Sequence, residues 1–221
     1  MEELQPIYRQ EEARGQLLRL FGVTEEPFLD ASRLAWLEWA ARTEFDPPSF
    51  PGTVLWGHTV RHERRQLVEL GWAQNDVNNF STCITPDGKM AIAVETGDEY
   101  TATTIPEKTP RTNSRKGPQT MQMIRDNSKL LQGNLFAGFA QAEPVRSQAP
   151  LLWIHLIHQS MGDVLGEISL PVVADDDQRI VGWKSRIILP RVEGGSDPRR
   201  LSLPAPEVTP DSEVRVVRRL A

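Results

Sequence analysis

Cysteine is almost missing from this chain of 221 residues: Cys83 stands alone, so no internal disulfide can form and a secreted disulfide framework is excluded. The lone thiol reads as a small buried apolar residue rather than a nucleophile. Long hydrophobic runs are missing too, and nothing approaches the ~18 apolar residues needed to span a bilayer. The opening "MEELQPIYRQEEARGQ" carries acids where a secretory signal carries cations ahead of an apolar core. No lipidation signal is legible. The expectation is a cytoplasmic protein that does not engage membranes. Common catalytic signatures are also lacking: no Gly-x-Ser-x-Gly elbow, no phosphate loop and no dinucleotide fingerprint. That argues against a familiar enzyme, and no cofactor is expected. A scattered Ser–His–Asp set leaves no local trace, and nothing here favours one.

What is present is ordinary in bulk, 39% hydrophobic and 25% charged. Acids outnumber Lys and Arg by 30 to 25, a net charge of −5. This disfavours a general nucleic-acid coating protein, whose affinity comes from a basic surface, but leaves room for a local basic site. Aromatics make up only 7% of the chain, yet six of them are tryptophan, a core filler that is also enriched at binding hot spots.

Periodicity predicts helices first. "PIYRQEEARGQLLRLFGV" stops at Gly22. "FLDASRLAWLEWAARTEF" is a second helix, capped by Asp30 or Ser32, with Leu34, Leu37 and Ala41 as its apolar stripe and Trp36 and Trp39 beside it. "DPPSFPG" breaks it, and "HTVRHERRQLVELGW" is a third helix ending near Gly71. "AQNDVNN" reads as a polar link. "FSTCIT" and "MAIAVET" flank "PDGK", a hairpin with suitable turn chemistry. A helix is expected to start at Pro118. "LLWIHLIH", "DVLGEISLPVV" and "IVGWKSRIILP" read as strands, the first buried on both faces, with Glu167 and Arg186 placed to pair. The fold class is therefore α+β: N-terminal helices, then a mainly antiparallel sheet of about five strands. One domain is expected over 1–190, helical over 1–74 and mainly β over 78–190 with a helix inserted near 118–132. An extended Pro-rich tail covers 191–221.

Several constellations point to chemistry. His58 and His62 share one helix face at the i, i+4 spacing of zinc helices, but Thr59 stands where a metalloprotease places its glutamate. His155 and His158 face opposite sides of a strand. No metal ligand is assigned. Asp87, Glu95 and Asp98 offer carboxylates near strand ends. In order, Pro86-Asp87 followed by Glu95 resembles the restriction-type nuclease motif, whose second half is an acid, any residue and then lysine; Gly97 occupies the lysine position.

"KTPRTNSRKGPQTMQMIRDN" gathers Lys108, Arg111, Arg115 and Lys116 ahead of a helix start, which suits a phosphate or carboxylate. The alternative is pairing with acids such as Asp175, Asp176 and Asp177. "QGNLF" resembles the bacterial sliding-clamp-binding peptide: Gln132, Leu135 and Phe136 match, and Gly133 departs from the usual leucine. That resemblance implies tethering to the replication clamp, with Leu135 and Phe136 as anchors. Otherwise these residues pack into the core. The sequence thus leads to a non-enzymatic accessory protein with a protein partner and possible nucleic-acid contact, in a replication, repair, mobile-element or defence assembly. The alternatives are a metal-dependent hydrolase or nuclease and a purely structural subunit.

Overall fold

Proline marks the start of three of the four described helices. The structure, a computed structural model, describes residues 5–105, 107–136 and 149–194, with 132–136 described through their backbone alone. α1 (Gln10–Phe21) carries Glu11 and Glu12 in its first turn, against the positive end of the dipole, and stops at Gly22 with φ 70°. α2 (Glu26–Ala40) begins earlier than its apolar pattern suggested, with Pro27 in the first turn. Asp30 and Ser32 are therefore interior residues, not caps. The buried face is Phe28, Ala31, Ser32, Ala35 and Trp36, while Leu34 is exposed. α3 (Phe50–Glu69) also starts early, because Pro51 occupies its first turn, where no amide donor is needed. "DPPSFPG" thus ends one helix and opens the next.

The strands are β1 (Ile7–Tyr8), β2 (Ala73–Val77), β3 (Phe80–Ile84), β4 (Met90–Thr96), β5 (Leu151–Ser160), β6 (Asp163–Ala174) and β7 (Ile180–Ile188). They form one sheet in the order β1-β7-β6-β5-β4-β3-β2. The α+β class holds, but the sheet is seven-stranded and mixed, and a strand precedes the first helix. β1 pairs parallel with β7 and β4 parallel with β5; the other neighbours are antiparallel. β1 is too short to show a pattern. β2 is the polar "AQNDV" on the outer edge, and Asn78 and Asn79 turn it into β3 at φ 51° and 61°, a conformation asparagine tolerates. Parallel β4 and β5 need a crossover, and α4 (Pro118–Phe136) supplies it.

β5 lies at the centre with both faces covered. Trp153 and Ile157 face α1, α2 and α3, whereas Leu152, Ile154 and Leu156 face α4. Asn127 fixes α4 in place: its amide donates to the Leu152 and Pro171 carbonyls at 2.8 and 3.0 Å and accepts from the Leu152 N–H at 2.9 Å. Glu167 and Arg186 do pair, fully buried. The tail from residue 195 onward lies outside the described residues.

Candidate functional site

β3 and β4 pair only through Cys83–Ile92 and Ile84–Ala91. Beyond that point, toward the start of β3 and the end of β4, the ladder stops. Trp56 of α3 enters there, its indole N–H donating to the Val94 carbonyl at 2.9 Å. The opening is a cleft of about 840 Å³ with three walls. One is the start of α3, with Ser49, Gly52, Thr53 and Trp56. The second is the β2–β3 turn, Asn78 and Asn79, with Phe80. The third is the start of α4 and the loop before it, from Ser114 to Thr120, with Gln122 and Arg125 farther along the helix. Glu95 and Thr96 complete it from the end of β4. Alternation along β4 places Glu95 with Ala91 and Ala93, on the side α4 covers.

The loop before α4 is fastened rather than free. Thr112 exchanges hydrogen bonds with Ile180: its N–H donates to the Ile180 carbonyl at 3.1 Å, and its hydroxyl accepts the Ile180 N–H at 3.0 Å. The Asn113 N–H donates to Thr96 at 2.9 Å and its side-chain amide to the Gly97 carbonyl at 2.7 Å. The Lys116 N–H donates to Gln178 at 2.8 Å. These bonds press Lys116 inward, where its ammonium meets the Glu95 carboxylate with only 5% of the residue exposed.

The four cations singled out in the sequence do not form one patch. Lys108 sits over the Tyr100 ring at 5.1 Å, and Arg111 lies 3.7 Å from Asp98. Arg115 bonds Asp177 at 2.7 Å, both side chains largely exposed. Only Arg115 and Lys116 line the cleft. Arg125 joins them from α4; the sequence signal for it was a cation two turns beyond Pro118. Among the described residues that line it, the cleft thus has three cations to the single carboxylate of Glu95.

The acidic candidates separate. Asp87 sits in the β3–β4 turn, at the opposite end of β4 from Glu95. The Thr85 hydroxyl at 2.7 Å and the Lys89 N–H at 3.1 Å donate to its carboxylate and hold its pKa down at about 2. Asp98 accepts from the Tyr100 and Arg111 N–H groups and so organises its own turn. Gly97, at the lysine position of the nuclease-like order, has no space for a side chain: an added Cβ would lie 2.2 Å from Thr101 Oγ1 and 2.6 Å from Leu156 Cγ.

His58 and His62 stand 6.1 Å apart between ring centroids on α3. Burial, and then His58, lowers the His62 pKa. His155 points to the α3 side and meets Glu63 at 2.5 Å, a buried pair that no spacing in the sequence announces. His158 turns the other way, its Nδ1 3.0 Å from the Gly97 carbonyl oxygen. Among the described residues no three His, Cys, Asp or Glu gather to hold a metal ion. Cys83 is buried, and desolvation raises its thiol pKa to about 12. Gln132, Leu135 and Phe136 lie in the last turns of α4, where side chains are outside the described set. No described helix is long and apolar enough to cross a membrane. No family model, curated protein or solved structure matches the chain, so its site is read from geometry alone.

Proposed function

We propose that this protein is a nucleic-acid-binding accessory protein that takes phosphates in the cleft between α3, the β2–β3 turn and α4. One observation carries the reading. Two helix starts, those of α3 and α4, line one cleft together with Arg115 and Arg125, beside the Lys116–Glu95 pair. Neither helix has an acid in its first turn, whereas α1 and α2 both do. An anion at such a helix end gains about 0.3–1 kcal/mol from each dipole at exposed sites. Glu95, the one opposing carboxylate, is already neutralised by Lys116. The Arg115–Asp177 pair is exposed and worth at most about 1 kcal/mol, so a phosphate competes for Arg115 at small cost. Ser49, Thr53, Asn78 and Gln119 add polar groups around the same space.

Fluorescence anisotropy with short single- and double-stranded oligonucleotides tests this, beside an Arg115→Glu/Arg125→Glu variant that leaves the buried Lys116 untouched. Two or three single-strand phosphate contacts predict an affinity loss of about tenfold when salt rises from about 50 to 200 mM. The double variant should lose the salt-sensitive component. Binding by neither strand form would refute the reading.

A second reading, metal-dependent phosphodiester hydrolysis, draws on the Glu95–Lys116 contact, which brings an acid and a lysine together beside the α4 start although Gly97 bars a lysine two residues after the acid. The same oligonucleotides with Mg²⁺ or Mn²⁺ separate the two. Cleavage lost in Glu95→Gln would favour hydrolysis; intact strands leave binding as the function.

A further inference from the structure

Resting on the nucleic-acid reading, we infer that the cleft takes an unpaired nucleotide of a single strand, its base stacked on Trp56 and its phosphate directed to the α4 start and Arg115. Size is the first argument. At about 840 Å³ the cleft falls within the range of roughly 300–1,000 Å³ typical of small-ligand sites, which admits extruded nucleotides but not a duplex. The second is Trp56. It is 40% exposed on a helix whose Val54, Leu55 and Thr59 are buried. Its indole bond to Val94 fixes the ring in the opening of the β3–β4 ladder, so a stacking surface stands ready without ordering cost. The third is the polar rim. Asn78 reaches Gln119 across the cleft at 3.5 Å, the outer limit of a hydrogen bond, so these two amides can exchange that contact for a base edge. Trp56 comes from the α3 side of the sheet and the cations from the α4 side, which matches a ligand with an aromatic end and an anionic end.

The test uses anisotropy of labelled short oligothymidylate, an abasic strand of equal length, a duplex and a mononucleotide competitor. The proteins are wild type, Trp56→Phe, Trp56→Leu and Arg115→Glu/Arg125→Glu. Base stacking predicts that Trp56→Leu weakens oligothymidylate by about tenfold or more and that wild type discriminates against the abasic strand by a similar factor. Trp56→Phe should bind nearly as wild type, and duplex should bind most weakly. Equal affinity for abasic and base-bearing strands would overturn the inference while the phosphate reading stands. Loss of every strand, wild type included, would remove the phosphate reading itself. If Trp56→Leu does not fold, the abasic comparison on wild type decides. Displacement by the mononucleotide at concentrations equal to the strand's would replace the strand with a free nucleotide as the ligand and overturn the single-strand assignment.

Discussion

Arg186 has the most demanding position of any single residue. Its side chain is fully buried, with Nε donating to Glu167 Oε1 at 3.0 Å and a second nitrogen on Oε2. Glu167 also accepts the Ser169 hydroxyl at 2.7 Å and the Ala102 N–H at 2.8 Å, and Ala102 holds φ 60°. Desolvating both ions costs several kcal/mol each, and their contact offsets it only while the acceptors and donors stay filled. Arg186→Met strands the carboxylate and should cost about 3–5 kcal/mol in urea unfolding. Glu167→Gln/Arg186→Met removes the charge yet keeps an acceptor for Ala102, so it should be the more stable of the two. A double variant less stable than Arg186→Met would contradict this account. The pairing was expected from the repeated "EISLP" and "RIILP" endings; in the antiparallel β6–β7 register Glu167 lies opposite Ile188 and Arg186 opposite Ser169, so the two meet as diagonal neighbours on one face. The Glu63–His155 pair was not expected, since their contact depends on how α3 lies across β5.

Gly97 links elements rather than residues. It directly follows β4, its carbonyl accepts the Asn113 amide and lies 3.0 Å from His158 Nδ1, and it sits so close to Thr101 and Leu156 that a methyl group has nowhere to go. Leu156 is fully buried and cannot retreat. Gly97→Ala should therefore lower stability by about 1–3 kcal/mol, the usual cost of overpacking. It should also weaken oligonucleotide binding, because Glu95 and Lys116 are positioned through the same junction; unchanged thermal unfolding would refute the packing argument. Elements differ in how plainly the sequence displays them. The β3–β4 hairpin was readable from alternation around "PDGK", and β5 from apolar residues on both faces. α3 was assigned too short because "DPPSFPG" looked like a break when Pro51 is a first-turn residue, and α2 was started late because Asp30 and Ser32 look like caps. β2 was invisible: an exposed edge strand has no apolar face to alternate. Half of the basic cluster reached the cleft, since sequence proximity does not fix which way each side chain leaves an extended loop.

At the scale of the molecule, the cleft spans the sheet. α3 covers one face and α4 the other, and the walls come from segments near residues 50, 79 and 117, which meet only because the β3–β4 ladder ends early. A ligand held by all three joins the two layers across an edge where the sheet has few hydrogen bonds. Binding to the folded state alone raises stability by about 2.7 kcal/mol at a ligand concentration of 100 times Kd. For a chain of this size each kcal/mol moves Tm by roughly 2–4 °C, so saturating oligonucleotide should raise the midpoint by about 5–10 °C. Hydrogen exchange should slow in the same three segments and leave the β6–β7 pairing unchanged, because no residue of either strand lines the cleft. Stabilisation with protection at α3, the β2–β3 turn and the α4 start would place the strand across both layers. Stabilisation with protection confined to Lys108 and Arg111 would instead move the contact to the outer part of the basic loop and leave the cleft without this role.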